Sequence, residues 1–150
     1  MENNIGIQDA IDALILGLNE IFGDEYTYYP ENIGQGMKLP CFFVQYINGN
    51  EDLLVGQRYS SKSHFVIHGH VLDDENKKKS LNDMASLLYS LEYIKLRNGD
   101  LLRLENRETK IEDNEVFFYC DINVHLIKKK AEEIINMQNI NMNGGVKKNG

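Results

Sequence analysis

Two cysteines among 150 residues are too few for a disulfide framework, and Cys41 and Cys120 have no metal-type spacing. Both lie inside apolar segments, Pro-Cys-Phe-Phe-Val and Phe-Phe-Tyr-Cys-Asp-Ile, and read as reduced, buried thiols. No apolar run approaches the roughly 20 residues that span a bilayer, so no membrane helix is expected. The opening Met-Glu-Asn-Asn lacks the basic start and apolar stretch of a secretory signal. Cations are also in short supply, with 16 Lys and Arg against 23 Asp and Glu and a net charge of −7. That balance argues against a surface that grips nucleic acid, which needs clustered Lys and Arg. The acidity is uneven. From Lys128 onward there are five Lys and two Glu, a balance of +3, which leaves −10 for residues 1–127.

Catalytic signatures are missing too. No Gly-x-Ser-x-Gly elbow, P-loop, dinucleotide fingerprint or His-Glu-x-x-His pattern occurs. Gly34-Gln-Gly36 is too short to cradle a phosphate specifically. Cys41 as a nucleophile would need a base and an oxyanion site, and a Cys followed by Phe-Phe-Val reads as core instead. Nothing assembles an active site, so the sequence points to a binding or assembly protein that uses no cofactor.

What is present is periodicity. Ile7, Ala10, Ile11, Leu14, Ile15, Leu18, Ile21 and Phe22 recur at spacings of three and four, predicting an amphipathic helix over about 5–22. Asn3 or Asn4 can cap its start, and Gly23 stands where a left-handed C-terminal cap falls. A short aromatic stretch at Tyr26–Tyr29 stops at Pro30, and residues 31–38 read as a loop. Pro40 opens a strand over Cys41–Ile47, with Asn48-Gly49 as a turn signal and Leu53–Tyr59 as a return strand.

Residues 64–72 alternate as a strand, with Phe65, Ile67, Gly69 and Val71 on one side and His64, Val66, His68 and His70 on the other. The apolar set Leu81, Met84, Ala85, Leu87, Leu88 and Leu91 predicts a second amphipathic helix starting between Asp74 and Ser80. Ser80 and Asp83 are its candidate capping pair, and Asp73-Asp74-Glu75 suit its N-terminus. Asn98-Gly99 predicts a type I′ hairpin between 94–97 and 100–104. A strand near Thr109–Ile111 and a polar turn at Glu112–Glu115 lead to the last strand, 116–126. There Val116, Phe118, Cys120, Ile122, Val124 and Leu126 face one way, and Phe117, Tyr119, Asp121, Asn123 and His125 the other.

The order helix, strands, helix, strands predicts an α+β fold, a mixed or antiparallel sheet with two amphipathic helices packed on one face. Residues 1–127 form a single domain in this reading, and 128–150 a basic, partly flexible tail. Two helices cover one side of the sheet. The other, carrying His68, His70, Phe117, Tyr119 and His125, must meet water or another subunit, and its aromatics favour a subunit. His64, His68 and His70 on one strand, with Asp121 and His125 on another, would approach metal-ligand geometry only if three or four converged. A solvated or interfacial polar face accounts for the same pattern.

Several segments, in order, resemble the phage tail terminator family of Gram-positive phages and contractile tail-like bacteriocins. They are the opening helix, Tyr28, Gln35-Gly36 leading into Pro40-Cys41-Phe42-Phe43-Val44, and Arg58-Tyr59 followed by Phe65-Val66-Ile67-His68. Residues 110–119 running into Asp121-Ile-Asn-Val124 complete a match over roughly 5–127. The resemblance implies a non-enzymatic virion or tail-particle protein, assembled in the bacterial host cytoplasm as a ring, commonly a homohexamer. Such a ring caps the tail tube, stops its polymerisation and docks the neck or head connector, with the last sheath layer as a further partner in contractile tails. DNA would only pass through its lumen.

On that expectation Arg58, Tyr59, His68, His70, Phe117, Tyr119 and His125 are the candidate subunit or tube interface. A snorkelling Arg at a strand end accounts equally for Arg58-Tyr59. The alternatives are a head-closure or other head–tail connector protein, a bacterial adaptor, or a small metal or thiol enzyme.

Overall fold

The computed structural model describes residues 6–31 and 33–127. It contains α1 (Ile7–Phe22), β1 (Thr27–Tyr29), β2 (Cys41–Leu53), β3 (Arg58–His70), α2 (Lys77–Leu88), β4 (Tyr93–Lys95), β5 (Leu101–Arg103), β6 (Glu105–Glu112) and β7 (Glu115–Ile127). Five strands form a mixed sheet in the order β1-β2-β3-β7-β6, and β4 and β5 form a separate two-stranded sheet. β1 runs parallel to β2, with Thr27 against Cys41. β6 runs antiparallel to β7, with a bulge between Glu105 and Glu108. The architecture is the α+β class that the sequence predicts. Its contacts divide the described residues into two units: 6–50 with 62–123, and 51–61 with 124–127.

In the larger unit the apolar stripes of both helices meet one face of the sheet. Ala10, Ile11, Leu14 and Leu18 of α1 and Leu81, Met84 and Leu88 of α2 share a core with Phe42, Val44, Phe65, Ile67, Val116, Phe118, Cys120 and Ile122. Each large apolar side chain so buried contributes about 1.5–3 kcal/mol of transfer free energy. α1 touches β1 and β4, and α2 touches β6. Tyr28 fastens the end of α1, its hydroxyl donating to the Gly23 carbonyl at 2.7 Å. Gly69 lets α2 approach β3, because a Cβ there would strike the Met84 sulfur and come within 2.9 Å of the Phe42 ring.

Turns and caps depart from expectation in several places. The β2–β3 reversal is not at Asn48-Gly49, through which β2 continues to Leu53. Gly49 serves a close approach instead, since a Cβ there would lie 2.9 Å from the Lys62 carbonyl oxygen. Residues read as a return strand form the turn: the Leu54 N–H donates to the Arg58 carbonyl at 2.8 Å, and Gly56 has φ +63°.

Asn98-Gly99 does not make a type I′ turn, because only Gly99 has positive φ (97°). The Gly99 N–H donates to Leu96 at 2.9 Å and the Leu96 N–H to Asp100 at 2.8 Å, as in a longer loop closed by glycine. The two successive left-handed residues that a type I′ turn requires are Asp113 and Asn114 (φ 54° and 62°), between the paired Glu112 and Glu115.

Ser80 lies inside α2 rather than at its cap, its N–H donating to the Asn76 carbonyl at 2.9 Å. The chain enters α2 through Asp74, whose carboxylate accepts from the Asn76 N–H at 2.9 Å. α1 starts after Gly6, with the Asp9 carboxylate accepting from the Gly6 N–H at 3.4 Å. Gly23 is the C-cap, with φ 83° but an extended ψ of −172°. The readings of Asn3 or Asn4 as a cap and of residues 128–150 as a tail fall outside the described residues.

Candidate functional site

Strand alternation lays out the sheet face opposite the helices. In the larger unit it carries Cys41, Phe43 and Gln45 from β2, His64, Val66, His68 and His70 from β3, and Glu115, Phe117, Tyr119 and Asp121 from β7. Because β3 lies between β2 and β7, its histidines sit among aromatics from both neighbours and carboxylates from β7.

Two polar clusters result. In the first, the Phe43 ring stacks on His68 at 4.3 Å and 11° and on His70 at 5.6 Å and 21°. Phe117 meets His68 edge-on at 4.9 Å. One oxygen of Glu115 lies 3.5 Å from His68 Nδ1 and 3.5 Å from His70 Nε2. Gln45 Oε1 lies 3.0 Å from His68 Nε2. His70 Nε2 is buried and, despite its proximity to Glu115, makes no hydrogen bond of adequate geometry.

In the second cluster, His64 Nδ1 contacts Asp121 Oδ1 at 2.5 Å, and the Asn106 side chain donates to Asp121 Oδ2 at 2.7 Å. Asn106 stands at the β6 bulge with φ 52°, and that bulge aims its side chain at the carboxylate.

Burial sets the protonation chemistry. It lowers the pKa of His68 from its ordinary value; the Glu115 carboxylate opposes the shift and His70 adds to it. Burial, then the Glu115 charge, pushes the Cys41 thiol up. The Cys120 thiol, on the core side, is pushed up to about 12 by burial and then Asp121, against a smaller pull from Arg107. Both cysteines are free and buried, as their apolar segments predict. A thiol that resists ionisation is a poor nucleophile and a poor metal ligand. Among the described residues no group of three or more His, Cys, Asp or Glu is arranged to hold a metal ion.

The structure brings together three of the sequence-predicted residues: His68, His70 and Phe117. Tyr119 shares their face, half-buried and paired in register with Glu108 on β6. Arg58, Tyr59 and His125 belong to the smaller unit, where Arg58 is exposed, Tyr59 half-buried and His125 exposed. Sequence reasoning missed Phe43, Gln45, Glu115 and Asn106. Phe43 was findable, since alternation from Phe42 puts one of two adjacent phenylalanines on each face. Glu115 reads as part of a polar turn, and only strand pairing reveals that it faces two histidines.

The arrangement is a packed aromatic and imidazole surface. The sequence model of one family, described as phage tail terminator protein, matches residues 9–134. A search of curated proteins finds no match.

Proposed function

Since the chain belongs to the phage tail terminator family, its role is structural and tail-terminating, and we propose that it acts as a closed homohexameric ring on the end of the tail tube. The ring stops tube polymerisation and presents a docking surface to the neck or head connector; in a contractile tail it also meets the last sheath layer. The observation that carries this reading is the family match, which runs through both helices and all five strands of the main sheet. The sheet face supports it, because Phe43, His68, His70 and Phe117 form an aromatic surface on the side away from α1 and α2.

On this reading His68, His70, Phe117 and Tyr119, with Arg58, Tyr59 and His125 of the smaller unit, contact a neighbouring subunit or the tube. The acidic body suits a lumen through which DNA passes without sticking. Assembly belongs to the host cytoplasm.

The test is tube length. Tail tube protein polymerised with the purified chain is expected to give tubes of arrested length by electron microscopy, with density capping one end. Tubes that grow equally long with and without the protein overturn the reading.

A further inference from the structure

The β4–β5 hairpin turns Ile94 into the core and its other face outward. That outer face carries Tyr93 opposite Arg103 and Lys95 opposite Leu101, with Arg97 following on the turn. Tyr93 is 52% exposed and Leu101 65%. Among the described residues the side chains of Lys95, Arg97 and Arg103 take part in no ion pair or hydrogen bond. The one acid of the hairpin, Asp100, is held by the Asn98 side chain at 3.2 Å, and Glu92 is engaged by Arg107 at 3.4 Å. An acidic protein thus presents a small basic patch with an apolar centre.

A matching surface lies on α1. Residues 1–37 contain seven Asp and Glu and no Lys or Arg. Within α1, Asp12, Leu16 and Glu20 recur every four residues along one exposed stripe, with Leu16 59% exposed between the two acids.

We propose that the outer face of the β4–β5 hairpin docks the Asp12–Leu16–Glu20 stripe of a second copy of this chain. The proposal rests on the ring reading above and names the surfaces that close it. Charge and spacing both agree. Asp12 and Glu20 are eight helical residues apart, about 12 Å. Arg103 stands opposite Tyr93, and Arg97 lies four residues beyond Tyr93, two of them past the end of β4, so Arg103 and Arg97 are at most about 14 Å apart. Leu16 then falls on Tyr93 and Leu101, and the apolar contact excludes water from the flanking ion pairs, which strengthens them over isolated surface pairs. The two surfaces are on different elements, so the contact is head-to-tail, the kind that generates a ring when its rotation closes.

The experiment is charge reversal in the full chain, read by native mass spectrometry and sedimentation, with circular dichroism confirming the fold. Arg97→Glu with Arg103→Glu is expected to raise the concentration needed for assembly about tenfold or more, as is Asp12→Lys with Glu20→Lys. The fourfold variant carrying both reversals is expected to recover assembly, because opposite charges again face each other. Wild-type rings with either reversal harmless overturn this contact and leave the ring reading standing. Loss without recovery in the fourfold variant overturns the pairing. Wild-type protein that stays monomeric both alone and on tubes overturns the ring reading and the contact together. Retention of a single-stranded oligonucleotide that disappears with Arg97→Glu and Arg103→Glu, while assembly is unchanged, would make the hairpin a nucleic-acid face instead.

Discussion

At Gly69 both Met84 of α2 and the Phe42 ring press against β3, and any side chain there competes with Met84 for the same space. Gly69→Ala is expected to destabilise the protein by about 1–3 kcal/mol, read as a lower midpoint in urea with an unchanged slope. His68 gives a pH signature. Its pKa is depressed in the folded protein, so the unfolded chain binds more protons in the window just below about 6.5. The stability tied to neutral His68 is complete above that value and lost as pH falls through the folded pKa. His68→Gln is expected to flatten the decline in urea midpoint between pH 7 and 5; an unchanged slope would remove His68 as its source. Alternation alone gave the side of the sheet on which each of these residues lies. Sequence could not supply the meeting of Glu115 with both His68 and His70, since they are 45 or more positions apart and only the pairing of β3 with β7 brings them together.

Elements were legible where a period ran long. Both helices and the final strand follow from three-and-four spacing and from strict alternation, and their observed bounds differ by a few residues. Reversals were harder to read because the same dipeptide suits different geometries. Asn-Gly occurs twice among the described residues. At 98–99 it makes a loop with only Gly99 left-handed, and at 48–49 it is plain strand, where glycine admits the neighbouring backbone. The tight type I′ turn uses Asp113 and Asn114, neither of them the glycine that the geometry favours. Asn114→Gly is therefore expected to stabilise the β6–β7 hairpin by about 0.5–1 kcal/mol, a rise of roughly 1–4 °C in Tm by calorimetry. A fall in Tm would mean that the Asn114 side chain contributes more than its strained backbone costs.

For the whole molecule, charge is the property read most directly from composition, and it sets how the protein meets a polyanion. With a net charge of −7, the intact chain is expected to leave a 30-base-pair duplex unshifted in a gel at physiological salt. Clear retention would contradict a lumen that DNA crosses freely. The candidate interface was only partly legible at this scale: its residues were named from three predicted strands, yet the structure distributes them between two units. The buried cysteines matter here in another way. Cys41 and Cys120 are shielded, and their thiols are held in the unreactive protonated form. A maleimide dye or a thiol-directed cross-linker added to the native protein therefore finds almost nothing to react with. One cysteine introduced at an exposed position such as Leu16 or Leu101 becomes the sole accessible thiol, and the wild-type chain is its own unlabelled control for mapping neighbours by thiol cross-linking or fluorescence.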